Sequence, residues 1–172
     1  MGSIGNREML VARWAEVIDD PTLHDLPYKI ELNAEGTIEM SPANNWHGAV
    51  QAYLARLLGN ALSHGMVYTE SSVLTEAGVR VPDVAWGAAE FVREQGVNTP
   101  FTRAPEICVE VLPPSNSAKE IDAKVKAFLA AGAREVWLVR ASEGMSFIGP
   151  EGVMPRSAYV AEVQLPSSIP QG

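Results

Sequence analysis

The sequence predicts an α/β fold, a mixed β-sheet with helices packed against it. Three observations carry this expectation. The hydrophobic patterns run in the order helix, hairpin, helix, several strands, helix, strand, a mixture that suits a sheet covered by helices. Residues 46–63 carry a wide apolar stripe at helical spacing, formed by Trp46, Val50, Tyr53, Leu54, Leu57, Leu58 and Ala61. Two segments, GVRVPDVAW at 78–86 and EICVEVLPPS at 106–115, are rich in Val and Ile and read as strands. Each has a single carboxylate set into it, Asp83 in one and Glu110 in the other.

From the N-terminus, residues 7–18 place Met9, Leu10, Arg13, Trp14 and Val17 at i, i+3, i+4 spacing, which predicts a helix. A turn-rich stretch with Pro21 and Pro27 follows. Residues 29–33 and 37–40 read as a hairpin turning over Ala34, Glu35 and Gly36. The run Ser41-Pro42-Ala43-Asn44-Asn45 ends it and offers Asn caps for the 46–63 helix. Gly65 is expected to close that helix. Strands are expected over 66–74 and 78–86, then a loop or short helix over 88–105, then the Glu110 strand. Ser117 and Glu120 have the capping-box spacing and open a helix over about 118–131, which Gly132 stops. A strand at 135–140 follows, and residues 140–168 are expected to add further short strands. All 172 residues read as one domain.

With 47% hydrophobic and 20% charged residues, the composition is that of an ordinary globular protein. No apolar run reaches the roughly 18 residues needed to cross a bilayer. The opening MGSIGNREML lacks the basic-then-apolar pattern of a secretory signal. The single cysteine, Cys108, lies in an apolar strand and cannot form an internal disulfide. Together these lead to the expectation of a cytoplasmic protein that meets no membrane. Net charge is −8, from 13 basic and 21 acidic residues. That argues against broad non-specific nucleic-acid binding, which relies on Lys and Arg neutralising phosphates. It leaves room for a local basic cleft or a metal-dependent site.

A carboxylate in the middle of an apolar strand is costly to bury unless something pairs with it. A divalent metal is the simplest shared partner for Asp83 and Glu110. Alternation along the strands puts Asp83 on a face with Val79, Val81 and Ala85, and Glu110 on a face with Cys108 and Leu112. Either carboxylate alone is as readily a solvated strand end, or the partner of a distant Arg; the pair is harder to explain that way. On the 118–131 helix, at roughly 100° per residue, Ile121, Val125, Phe128 and Leu129 share one face. Lys124 lies at the edge of that face, within reach of Glu110, while Lys119 and Lys126 point away. Such a lysine more often lays its stem on apolar surface and keeps its ammonium in water. Glu31, in KIELN, is a further candidate, although spacing alone makes it an ordinary exposed strand carboxylate. His47, in the first turn of the long helix, reads first as a capping or packing residue. No HExxH, paired CxxC, Walker loop, GxGxxG or GxSxG occurs, and Ser115 and Ser117 have no evident base.

The succession ELN, EGTIEMSP, His47, VRVPDVAW, EICVEVLPPS and DAKVKAFLAAGAREVWLV resembles the Uma-type putative restriction endonucleases of the PD-(D/E)XK nuclease superfamily. The resemblance runs from about residue 29 to 139. It implies a restriction-endonuclease-like core, a mixed central β-sheet flanked by α-helices. Pro82-Asp83 matches the PD element and Glu110 the acid that follows it. Leu112 stands where a lysine two residues after that acid is usual. Lys124 falls where some superfamily members carry the lysine instead, on the next helix, and it is the same lysine that helical spacing directs toward the sheet. Glu31 matches the early acidic position of the family, and His47 a frequent polar position after SP, as an accessory.

The resemblance also implies Mg²⁺ or Mn²⁺ held by Asp83, Glu110 and the Val111 backbone carbonyl, with DNA as the substrate and phosphodiester hydrolysis as the reaction. A homodimer is implied too, since cutting two strands wants two sites. Val153, Tyr159, Val160 and Val163 in the tail could supply a strand at such an interface, or cover a sheet edge. Two alternatives stand beside the endonuclease. One is a nuclease-like fold without nuclease activity, acting as a binding or assembly module. The other is a metal-dependent hydrolase of a smaller phosphoester. A basic surface around the cleft favours the nuclease, and a uniformly acidic rim favours the others. Arg80, Arg93, Arg103, Lys119 and Lys126 are the obvious cations for a phosphate backbone.

Overall fold

The computed structural model describes residues 4–167 and 169. Its elements run α1 (Ile4–Asp19), β1 (Tyr28–Leu32), β2 (Ile38–Pro42), α2 (Asn45–Ala61), β3 (Gly65–Thr69), β4 (Val73–Thr75), β5 (Gly78–Arg80), β6 (Val84–Ala88), α3 (Ala89–Gln95), β7 (Ile107–Leu112), α4 (Ala118–Ala130), β8 (Glu135–Arg140), β9 (Gly144–Gly149) and β10 (Gly152–Met154). The larger sheet has the order β10-β9-β8-β7-β6-β3 and the smaller one β2-β1-β5-β4. In the larger sheet only β7 and β8 pair in parallel. They are joined through α4, the crossover that parallel neighbours require. The mixed sheet and its helices are therefore as expected, and a second, antiparallel sheet stands beside them.

Alternation in the strands of the larger sheet divides the core. Val109 and Val111 of β7, with Trp137 and Val139 of β8, meet Val50, Leu54 and Leu58 of α2 on one face. Cys108, Leu112, Val136 and Leu138 point the other way and pack against Val125 and Phe128 of α4. Leu10, Trp14 and Val17 of α1 cover Leu32, Leu74 and Val79 of the smaller sheet. The capping box on α4 forms: the Ser117 hydroxyl accepts from the Glu120 N–H, and the Glu120 carboxylate accepts from the Ser117 N–H at 2.7 Å. Among the described residues no helix is long and apolar enough to cross a membrane.

Three sequence expectations need correction. Residues 66–74 are two strands in different sheets, broken at Glu70, whose φ of 54° no strand residue adopts. Residues 78–86 are likewise two strands, β5 in the smaller sheet and β6 in the larger. The break falls at Val81-Pro82-Asp83, where Pro82 has no N–H to give a ladder. The alternation argument for Asp83 therefore does not apply. Gly65 does not cap α2, which ends at Ala61. It opens β3, where an added Cβ would lie 2.4 Å from the Gly87 carbonyl oxygen. The further short strands expected after Arg140 are β9 and β10; residues 168 and 170–172 lie outside the described residues.

From Pro155 the chain instead runs back over its own core. Val160 is buried there, and Val163 and Leu165 pack beside it. Glu135 fastens this segment: its buried carboxylate accepts from Trp137 Nε1 at 2.8 Å, Ser157 Oγ at 2.7 Å and the Ala158 N–H at 2.6 Å. Val160 and Val163 thus cover the chain's own sheet, while Val153 stays exposed on the outer strand β10.

Candidate functional site

The passage from the smaller sheet to the larger creates the site. The Val81 N–H donates to Glu31 Oε1 at 2.8 Å, and the Asp83 N–H donates to the Val109 carbonyl at 3.0 Å. Asp83 is thereby pinned against β7 with its side chain fully buried. Its Oδ2 accepts from the Val111 N–H at 2.7 Å, and its Oδ1 accepts from Lys29 Nζ at 2.7 Å. His47 Nε2 stands 3.2 Å from the same Oδ1. The cap on α2 sets that histidine, since Asn44 Oδ1 accepts from the His47 N–H at 2.8 Å. Burial pushes the Asp83 carboxyl up, but the His47 hydrogen bond and the Lys29 charge outweigh it and hold the group at about 2.

Glu110 projects from the α4 side of β7, on the face of Cys108 and Leu112 that alternation predicts. Lys124, on the inward edge of α4, brings Nζ to 3.1 Å from Glu110 Oε2 and to 3.1 Å from Glu31 Oε2. Glu110 Oε1 is buried with no hydrogen-bond partner among the described residues. Burial dominates at Glu110 and raises its pKa, despite Lys124 and Lys29; Asp83 and Glu31 add to the rise. Burial also pushes Glu31 up, but Lys124 and Lys29 reverse that and its pKa is lowered. Glu31 is not the exposed strand carboxylate that spacing suggests; it is 4% exposed. Across the hairpin it faces Glu39, a repulsive register that Arg80 relieves by pairing with both.

Lys29 is the site residue that sequence reasoning missed. Its ammonium lies 2.7 Å from Asp83 Oδ1, 3.4 Å from Glu110 Oε2 and 3.1 Å from the Val81 carbonyl, with the side chain 11% exposed. The signal was available: Lys29 and Glu31 are two apart on one strand and so share a face. If Glu31 belongs to the site, Lys29 does too. The structure thus gathers Asp83, Glu110, Glu31, Lys124 and His47, as the sequence singled them out, adds Lys29, and ties Arg80, which the sequence offered as a phosphate cation, to Glu31 and Glu39. Three carboxylates meet three basic side chains.

Lys29, Glu31, His47, Arg80, Glu110 and Lys124 line an open cleft of about 900 Å³, flanked by Tyr28, Met40 and Pro113, while Asp83 is buried beneath that lining. Its exposed lining carries Glu39, Glu70 and Glu120. Of the other cations considered for a phosphate backbone, Arg103 is paired with Glu94 and Glu106, and Lys126 with Asp122. The donor chemistry suits Mg²⁺ or Mn²⁺, hard ions that prefer carboxylate oxygens. The orphaned Glu110 Oε1 and the ammonium between Asp83 and Glu110 mark a place where positive charge is accepted. Among the described residues, however, no three acidic, His or Cys side chains converge as a ready ligand set. Glu31 is turned instead toward the Val81 N–H and Lys124.

A solved structure from Anabaena variabilis ATCC 29413, described as a putative nuclease belonging to DUF820, superposes with a TM-score of 0.62 at 18% identity. The match covers 79% of this chain and 86% of that one, and it places both in the same fold. No curated protein matches the chain. The family model described as Uma2, putative restriction endonuclease, matches residues 20–166, a span that holds both sheets and every side chain of the cluster. On that match the chain belongs to the Uma2 family of putative restriction endonucleases, and its function is nuclease-like.

Proposed function

We propose that this protein is a metal-dependent endonuclease that hydrolyses phosphodiester bonds of DNA. The observation that carries the reading is the meeting of Glu110 of β7 and Lys124 of α4 at the wall of an open cleft, with the buried Asp83, at β6's entry, joined to Glu110 through Lys29. Asp83 and Glu110 would hold Mg²⁺ or Mn²⁺, with the Val111 carbonyl as a further ligand. When bound, the ion supplies Lewis acidity toward water and phosphate. Asp83, held at about 2, stays ionised across the physiological range and serves as the fixed anchor. Lys124, 3.1 Å from both Glu31 and Glu110, is positioned to orient the attacking water or to neutralise charge growing on the phosphate oxygens. Glu31 holds Lys124 in that place. His47 acts through Asp83 as an accessory.

A second reading has an observation of its own. The exposed cleft residues Glu39, Glu70 and Glu120 repel a polyanion, which favours a smaller phosphoester or a binding role. The deciding experiment compares supercoiled plasmid and bis-p-nitrophenyl phosphate, each with Mn²⁺, using wild type, Asp83→Ala and Lys124→Met. Plasmid nicking that disappears in both variants supports the endonuclease. Turnover of the small ester alone supports the second reading. Nicking that persists in Asp83→Ala sinks the assigned site.

A further inference from the structure

We propose that Lys29 is a resident cation that occupies the divalent-ion position in the metal-free protein and must give way when the ion enters. This rests on the metal-site reading above and goes beyond it by assigning a residue that controls loading. Among the described residues, Lys29 is the one basic side chain that touches both expected ligands, Asp83 Oδ1 at 2.7 Å and Glu110 Oε2 at 3.4 Å. Lys124 touches Glu110 and Glu31 and leaves Asp83 alone. The Val81 carbonyl, 3.1 Å from Lys29 Nζ, completes a shell of three oxygens around the ammonium.

Charge balance leads to the same conclusion. Lys29 and Lys124 already supply two positive charges to Asp83, Glu110 and Glu31, and Arg80 is shared between Glu31 and Glu39, so most of the buried negative charge is balanced without any added ion. A dication added beside a retained Lys29 would put like charges within contact distance in a buried place. The side chain can leave, because a lysine stem is flexible and this one lines the cleft. The ammonium therefore holds the carboxylates together before loading, and its withdrawal is part of the cost of binding the ion.

The test is calorimetric titration of Mn²⁺ into wild type, Lys29→Met, Lys29→Gln, Lys29→Arg and Asp83→Ala, with thermal melts in EDTA and in Mn²⁺. Both neutral variants are expected to bind Mn²⁺ at least about tenfold more tightly, about 1.4 kcal/mol. They should melt below wild type in EDTA and gain more from Mn²⁺. Lys29→Arg keeps the charge and should bind no tighter than wild type. If Lys29→Met does not fold in EDTA, Lys29→Gln carries the comparison. Equal or weaker binding by the neutral variants overturns the inference; if Asp83→Ala then fails to bind, the metal site itself stands. Binding that survives in Asp83→Ala, or no binding by any chain, removes both.

Discussion

Replacing Asp83 with Asn removes one charge and keeps the volume. The wild-type carboxylate accepts from the Val111 N–H and Lys29 Nζ, both at 2.7 Å, and Asn offers a single acceptor for these two donors. Lys29 is left in a buried place with Glu110, 3.4 Å away, as the carboxylate still in contact with it. The carboxyl sits at about 2 in the folded chain against an ordinary 3.8. At about 1.4 kcal/mol per unit, that difference is worth about 2 kcal/mol of stability. Removing one partner of a buried pair costs about 3–5 kcal/mol in other proteins, which sets the upper bound.

Because the folded carboxyl binds its proton less tightly than the unfolded one, the contribution is complete above the unfolded value of 3.8 and fades as pH falls toward 2. Urea unfolding in EDTA should therefore show Asp83→Asn less stable by about 2–4 kcal/mol at neutral pH. That gap should narrow between about pH 4 and pH 2. A gap under about 0.5 kcal/mol at neutral pH, the size of an ordinary surface substitution, would refute the reasoning. So would a gap that stays constant through the acid range.

Two further expectations concern the frame that holds the cluster. Ser117→Ala removes the acceptor of the α4 capping box and should cost about 1 kcal/mol. By scanning calorimetry that is a fall of about 2–4 °C in Tm for a chain of this size; no change would mean that the cap is idle. Gly78→Ala would put a Cβ 2.0 Å from the Leu32 carbonyl at a φ of 112°, so it should prevent β1 from pairing with β5 and leave little folded protein. Gly144→Ala, at a φ of 75° with open space around it, should cost only about 1 kcal/mol and serves as the control. Equal losses in the two, by urea unfolding, would contradict the packing argument.

What could be read from the sequence was set by the range of the signal. The 118–131 helix, its cap and the 135–140 strand depend on spacing within a few residues, and the structure has them within one residue of expectation. Alternation along β7 correctly placed Glu110 with Cys108 and Leu112, because that strand is unbroken. It failed for Asp83, because Pro82 ends one strand and the chain changes sheets there. No local pattern encodes such a change. Lys29 was missed because a strand lysine is ordinarily solvated, and only its shared face with Glu31 pointed inward. The tail was ambiguous for a similar reason. Its apolar residues suit any apolar surface, and what fixes it to its own core is Glu135, more than twenty positions earlier.

The cluster spans two sheets, with Lys29, Glu31 and Arg80 on the smaller one and Glu110 on the larger. The same ion pairs that would serve chemistry therefore also clip the two halves of the fold together. Swapping all the charges at once for well-packed apolar groups can be harmless in a buried network, whereas losing one at a time strands its partners. A lineage that no longer needed hydrolysis would have no cheap single step by which to discard these residues. Descendants of such a nuclease would inherit its acids and lysines as structural ballast, so their persistence at these positions says as much about staying folded as about cutting a phosphodiester.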